Sequence, residues 1–199
     1  MPANRDAASR DTTSGDTANR DITNRDTANI ATPVGVTIRE AVAEDWPLIW
    51  PFFSTIVAAG ETYALPQDLT SDEARAIWMR ERPGATFVAV EGTGGTDVLG
   101  TAKVIPNQAG RGSHVANGAF MINPASSGRG VGRALAAHAV EWARAAGYRS
   151  MQFNSVVETN TAAVALWTSM GFRILATVPE GFDHPVHGLV GIHVMHKVL

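Results

Sequence analysis

Cysteine is absent from the 199 residues. That excludes disulfides, a thiolate nucleophile and cysteine metal sites. An excess of basic charge is absent too: 16 Lys and Arg stand against 19 Asp and Glu, for a net charge of −3. No positive field argues for nucleic acid as a partner. No apolar run approaches the roughly 18 residues a membrane span needs. The first residues lack the apolar stretch of a secretory signal. A cytoplasmic protein with no membrane partner is the expectation. What is present is ordinary for a globular chain, with 45% apolar residues and length for one domain plus a tail.

The first 30 residues form a pentapeptide array. Asp recurs at Asp6, Asp11, Asp16, Asp21 and Asp26, preceded by Arg5, Arg10, Arg20 and Arg25. Asn or Ser fills the next register, from Asn4 to Asn29. A solenoid needs a buried apolar position in each repeat. Beyond Met1, only Ile22 and Ile30 are large and apolar here. Such a segment buries too little surface to offset its ordering entropy. Residues 1–34 therefore read as a disordered tail, and residues 35–199 as the folded domain.

Within that domain, alternation predicts a strand over Val36–Val42. A helix follows over Trp46–Ala59, with Asp45 as its cap and Pro47 in its first turn. A second helix over Asp72–Glu81 has Thr70 or Ser71 as cap. Ser71 lacks a Glu three residues on, so no capping box is expected. Strands are predicted over Thr86–Glu91, Val98–Ile105, His114–Asn123, Tyr148–Val157, Phe172–Val178 and Leu189–Val198. Helices are predicted over Gly130–Ala146 and Asn160–Met170, each followed by glycine. The stretch Gly181–Gly188 reads as a loop near an acceptor site. The order is that of an α/β domain with a mixed sheet.

One turn carries the clearest chemistry. Between Ile122 and Leu135 the chain reads I-N-P-A-S-S-G-R-G-V-G-R-A-L. A strand ends at Pro124, a glycine-rich turn follows, and a helix begins. Unpaired N–H groups at a helix start form an anion site. Glycines let backbone approach a pyrophosphate closely, and Arg129 and Arg133 can add charge-assisted bonds. Gly128, Gly130 and Gly132 have the wrong last spacing for a dinucleotide fingerprint, and the Gly-Lys-Ser/Thr of a P-loop is missing. A ligand-free strand–helix turn stays open at this point.

The turn resembles the (Q/R)-x-x-G-x-(G/A) motif of the Gcn5-related N-acetyltransferase (GNAT) family. Downstream, Asn160–Phe172 reads N-T-A-A-V-A-L-W-T-S-M-G-F. That is similar to the family's second signature, N-x-x-A-x-x-L-Y-x-x-x-G-F. The resemblance implies a GNAT fold. Its mostly antiparallel sheet has about seven strands, splayed in the middle and flanked by about four helices. It implies acetyl-CoA as co-substrate, no metal, a small-molecule amine as acceptor, and a homodimer as a further expectation. By the same resemblance, the backbone of Phe120, Met121 and Ile122 pairs with the pantetheine arm. Ser127, Gly128, Arg129, Gly130, Val131, Gly132 and Arg133 hold the pyrophosphate, and Asn160 approaches the sulfur.

Two positions depart from the pattern. Ser127 replaces the usual Gln or Arg, at little cost to a motif that works through backbone amides. Trp167 stands where many members carry a tyrosine assigned as acid to the leaving thiolate. A phenol with a pKa of about 10 can protonate a thiolate, and an indole N–H is not a useful acid. Trp167 reads as packing against the cofactor.

Alternation puts Asn117 on one face of its strand, and Gln152 with Asn154 on one face of another. Asparagine orients a carboxylate or amine, or donates to an oxyanion. Asn117, Asn154 and Asn160 are thus candidate site residues, also open to a role in satisfying parted strands. Their surroundings are similar to the acetyltransferases that detoxify azetidine-2-carboxylate. In those enzymes asparagines matching Asn117 and Asn154 bind substrate, and tryptophan stands at the place of Trp167. Glu158 and His114 are the nearest candidate bases, with a water chain as the alternative. His184, His187, His193 and His196 form two H-x-x-H pairs. His193 and His196 would point to opposite faces of a strand, against a metal site. A peptide or protein N-acetyltransferase and a non-catalytic acyl-CoA-binding module are the competing functions.

Overall fold

A computed structural model describes residues 32 to 92, 95 and 97 to 199. The pentapeptide array, and the disorder expected of it, lies outside the described residues. Seven strands build one sheet: β1 (Val36–Glu40), β2 (Ala85–Glu91), β3 (Val98–Pro106), β4 (Val115–Ile122), β5 (Ser150–Val157), β6 (Arg173–His184) and β7 (Gly188–Val198). Their order is β1-β2-β3-β4-β5-β7-β6. Every neighbouring pair is antiparallel except β4 and β5.

Helices α1 (Trp46–Ala59) and α2 (Ser71–Trp78) cover one face. Trp46, Ile49, Phe53 and Val57 recur at helical spacing and are buried against Val88, Val90, Val98 and Met121. Each such side chain contributes about 1.5–3 kcal/mol by leaving water. Gly60, in the left-handed region at φ 66°, ends α1. Helices α3 (Val131–Ala145) and α4 (Thr161–Ser169) cover the opposite face. The alanines of α3 let it lie close on Phe87, Ala102 and Val104.

Several local expectations are corrected. Asp45 does not cap α1. Its carboxylate takes two bonds from Arg39, each 2.7 Å, and one from Val42 N–H. Thr70 caps α2 and does form a capping box, because Glu73 lies three residues after it and returns a bond to Thr70 N–H at 2.9 Å. Helix α2 stops at Trp78, short of Glu81. Thr86 Oγ1 donates to the Trp78 carbonyl and accepts from Arg80 N–H, drawing the chain off the helix. Strand β6 runs on through Phe182 to His184, so most of the expected 181–188 loop is strand. Phe182 packs with Val157 and Val190 there. His184 Nδ1 accepts from the amides of Val186 and His187 in the short turn.

Candidate active site

The sheet parts at its centre. Strands β4 and β5 pair through Val115–Ser150, Ala116–Met151 and Asn117–Gln152, and no further. Asn117 Nδ2 donates to the Gln152 carbonyl at 3.0 Å, closing the crotch of the opening. Beyond it β4 continues to Ile122 and β5 to Val157 without touching as strands.

Backbone parity decides which β4 groups face the opening. Asn123 N–H bonds Leu99 O, and Asn107 N–H bonds Val115 O. Odd-numbered residues of β4 therefore turn N–H and C=O toward β3, and even-numbered residues turn them away. Ile122 presents unpaired backbone groups along the cleft, and Phe120 an unpaired N–H beside a carbonyl that accepts from Tyr63. Met121 does not: its backbone faces Thr101, and its side chain is buried under α1. Of the three residues expected to pair with an incoming arm, two turn their backbone groups to the opening.

At the C-terminal end of β4 lies the glycine-rich turn. Gly128 and Gly130 adopt φ 77° and 78°, a region that side chains rarely enter. Helix α3 starts at Val131 with no side-chain cap. Among the described residues, nothing accepts from the amides of residues 128 to 133. Six consecutive N–H donors at a helix start form a cradle for phosphate. Ser127 N–H instead bonds Pro124 O. Arg129 pairs with Glu91 at 2.8 Å on the surface. Arg133 donates to Ser169 Oγ at 2.8 Å, tying α3 to α4.

The predicted polar residues fall into two groups. Gln152 Nε2 donates to Asn154 Oδ1 at 2.8 Å, and Asn154 Nδ2 donates to Asn107 Oδ1 at 2.7 Å. With Asn117 this makes a chain of amides across β4 and β5. Asn160 stands apart as the cap of α4, its Oδ1 accepting from Ala163 N–H at 3.2 Å. Glu158 accepts from Gly191 N–H at 2.6 Å at the end of β5. His114 is exposed and bonds Arg111 O. Thr159 Oγ1, beside Asn160, is a buried side-chain oxygen left unpartnered. His193 Nδ1 is engaged by Thr177 at 2.8 Å.

Trp167 is buried among Phe120, Phe153 and Phe172, at ring distances of 4.8, 4.5 and 5.7 Å. It joins the cleft edge to the core.

Sequence patterns missed three residues. Tyr63, between α1 and α2, donates its hydroxyl to the Phe120 carbonyl on the cleft edge. Its segment has no periodicity to flag it. Asn107 completes the amide chain from a loop. Lys103 lies on the α1–α2 face, paired with Ala119 and one step along from Asn117. Its Nζ donates to Ile77 O at 3.0 Å and lies over the Trp78 ring. Burial, and then the nearby Arg80, pushes its pKa down to about 8. An open cavity of about 710 Å³, lined by Arg80, Ile105, Pro106 and Asn107 among others, continues this face.

A family model for the acetyltransferase (GNAT) family matches residues 40–172. The chain belongs to this family. A GCN5-related N-acetyltransferase from Kribbella flavida is 53% identical, with a TM-score of 0.80 over 83% of this chain and 98% of that one. The GNAT fold recurs at 23% identity in yncA of Salmonella typhimurium, solved with its cofactor acetyl-CoA. That likeness has a TM-score of 0.69 over 82% of this chain and 94% of that one. The N-acetyltransferase aca1 of Schizosaccharomyces pombe is 28% identical over 133 residues, 61% of this chain. The matched stretch spans 64% of that relative's own length. The seven-strand open sheet and four helices are those of a GNAT domain. No helix among the described residues is long and apolar enough to cross a membrane.

Proposed function

We propose that the chain is an acetyl-CoA-dependent N-acetyltransferase, moving acetyl to a small amine that carries a carboxylate. An amino acid, or a cyclic imino acid such as azetidine-2-carboxylate, has this chemistry, and detoxification of such a compound in the cytoplasm is the role that goes with it. The observation that carries the reading is the parting of β4 and β5 beside six free amides. The cleft-facing backbone of Phe120 and Ile122 suits an amide-bearing arm added as a strand. The amides of residues 128 to 133 suit the phosphates behind it.

The acceptor side rests on the opposite end of the cleft. Asn117, Asn154 and Asn107 offer neutral donors and acceptors to hold an amine and its substituents. Lys103 and Arg80 add positive charge on that face, and no described carboxylate lies in ion-pair range of either. Such a face favours an anionic group on the acceptor. The amine attacks the thioester directly. Glu158 or a water takes the ammonium proton first, since an alkylammonium has no lone pair.

Thiol release from acetyl-CoA, measured over a panel of free amino acids, imino acids, polyamines and peptides, tests this. Turnover is expected on carboxylate-bearing small amines and not on polyamines. Turnover on peptides alone would favour a protein acetyltransferase. Tight CoA binding without turnover would favour a binding module.

A further inference from the structure

Amide formation from a thioester moves one proton overall from nitrogen to sulfur. The C–N bond forms, the C–S bond breaks, and sulfur leaves with the bonding pair. The thiolate can leave as it is, take the amine's own proton, or take one from a group at the cleft edge. With no cysteine in the chain, phenols are the natural donors, and there are two tyrosines. Tyr148 is committed elsewhere: its hydroxyl donates to Pro83 O at 2.8 Å, beyond the C-terminal end of α3. Tyr63 reaches the cleft itself, donating to Phe120 O.

That carbonyl marks a specific place. Phe120 lies three residues past Asn117, the last β4 residue paired with β5. At about 3.3 Å per residue, it stands roughly 10 Å from the crotch. An arm that starts at the amides of 128 to 133 and follows the β4 edge brings its reacting end into this stretch. Two aromatic side chains meet Phe120 there. Trp167 packs on its ring with the α3–α4 core, and Tyr63 bonds its carbonyl from the α1–α2 side. Only the phenol carries a proton it can transfer.

We propose that Tyr63 is a catalytic residue of the acetyl transfer, giving its hydroxyl proton to the departing CoA sulfur. The assignment rests on the acetyltransferase reading above. The phenolate left on Tyr63 recovers a proton from the acetylated nitrogen, directly or through one water, so the cycle closes as amide and thiol. The ring is held for this task. It meets Trp78 edge-on at 6.3 Å, and Trp78 Nε1 donates to Thr101 Oγ1 at 2.9 Å, which donates in turn to Phe87 O at 2.9 Å. Burial raises the phenol above its ordinary value, which keeps it protonated but makes it a weaker acid, so its proton moves only as the C–S bond breaks. An arm pairing along β4 takes over the Phe120 carbonyl and frees the O–H to turn to sulfur.

Tyr63→Phe tests the assignment on the full chain, with two acyl donors: acetyl-CoA and the ester in which oxygen replaces the CoA sulfur. The ring is retained, so a thermal melt within a few degrees of wild type is expected. The kcat with acetyl-CoA should fall about 100-fold while the acetyl-CoA Kd stays within about threefold. The loss should be larger with the oxygen ester, whose alkoxide needs the proton more. A kcat within about threefold of wild type, or the same factor lost with both donors, would overturn the assignment and leave the acetyltransferase reading standing. No thiol release by the wild type on any amine would overturn that reading, and this inference with it.

Discussion

Gly130 sits at the foot of α3 with φ 78°, and an added Cβ would meet Pro33 Cγ at 3.3 Å. A branched side chain there costs roughly 1–2 kcal/mol of backbone strain and crowds the amides of the proposed phosphate site. Gly130→Val should weaken CoA binding more than about tenfold in calorimetry while the circular dichroism spectrum stays that of the wild type. Unchanged affinity would move the phosphate site elsewhere. This residue was legible in the sequence, because a glycine-rich turn opening a helix has a local signature. Asn160 was legible as the start of the second signature, but its role as the cap of α4 is seen only in the structure. Tyr63 was not legible. Its contact with Phe120 spans 57 residues of chain, and only the folded sheet brings the two together.

Elements were legible wherever periodicity ran long. Helix α1 has the bounds its apolar spacing predicts. Ends were harder, because they are set by contacts between elements. Thr86, across the sheet edge, decides where α2 stops. Strand β6 breaks register after Val178 and resumes its pairing with β7 at Phe182, where local sequence reads as loop. Asp45 is the clearest instance, for it joins β1 to α1 through Arg39 in place of capping the helix. Burial works to raise the Asp45 pKa, but the Arg39 bonds and Val42 N–H outweigh it, so the folded value lies below the ordinary 3.8. The stability from this pairing is then fully present above the ordinary value and is lost as pH falls through the folded one. Asp45→Asn should lower stability by about 1–3 kcal/mol at neutral pH. It should also flatten the acid limb of a stability–pH curve measured by denaturant unfolding. An acid limb as steep as in the wild type would show that other carboxylates carry it.

At the scale of the whole molecule, the site exists because one parallel pairing fails. Seven strands could be read along the chain, but their order in space could not. Hydrophobic alternation says which face of a strand is buried and leaves open which strand lies beside it. The family resemblance supplied the splayed sheet, and the geometry then singled out Phe120 and Ile122 over Met121 as the backbone that faces the opening. The central claim is that this edge and the amides of residues 128 to 133 hold acetyl-CoA together. A crystal structure of the full chain with acetyl-CoA measures it directly. The account predicts pantetheine amides at about 2.9 Å from the Phe120 and Ile122 backbone, with phosphate oxygens on the amides of the turn. Phosphates bound elsewhere, or an arm that bypasses the β4 edge, would contradict it.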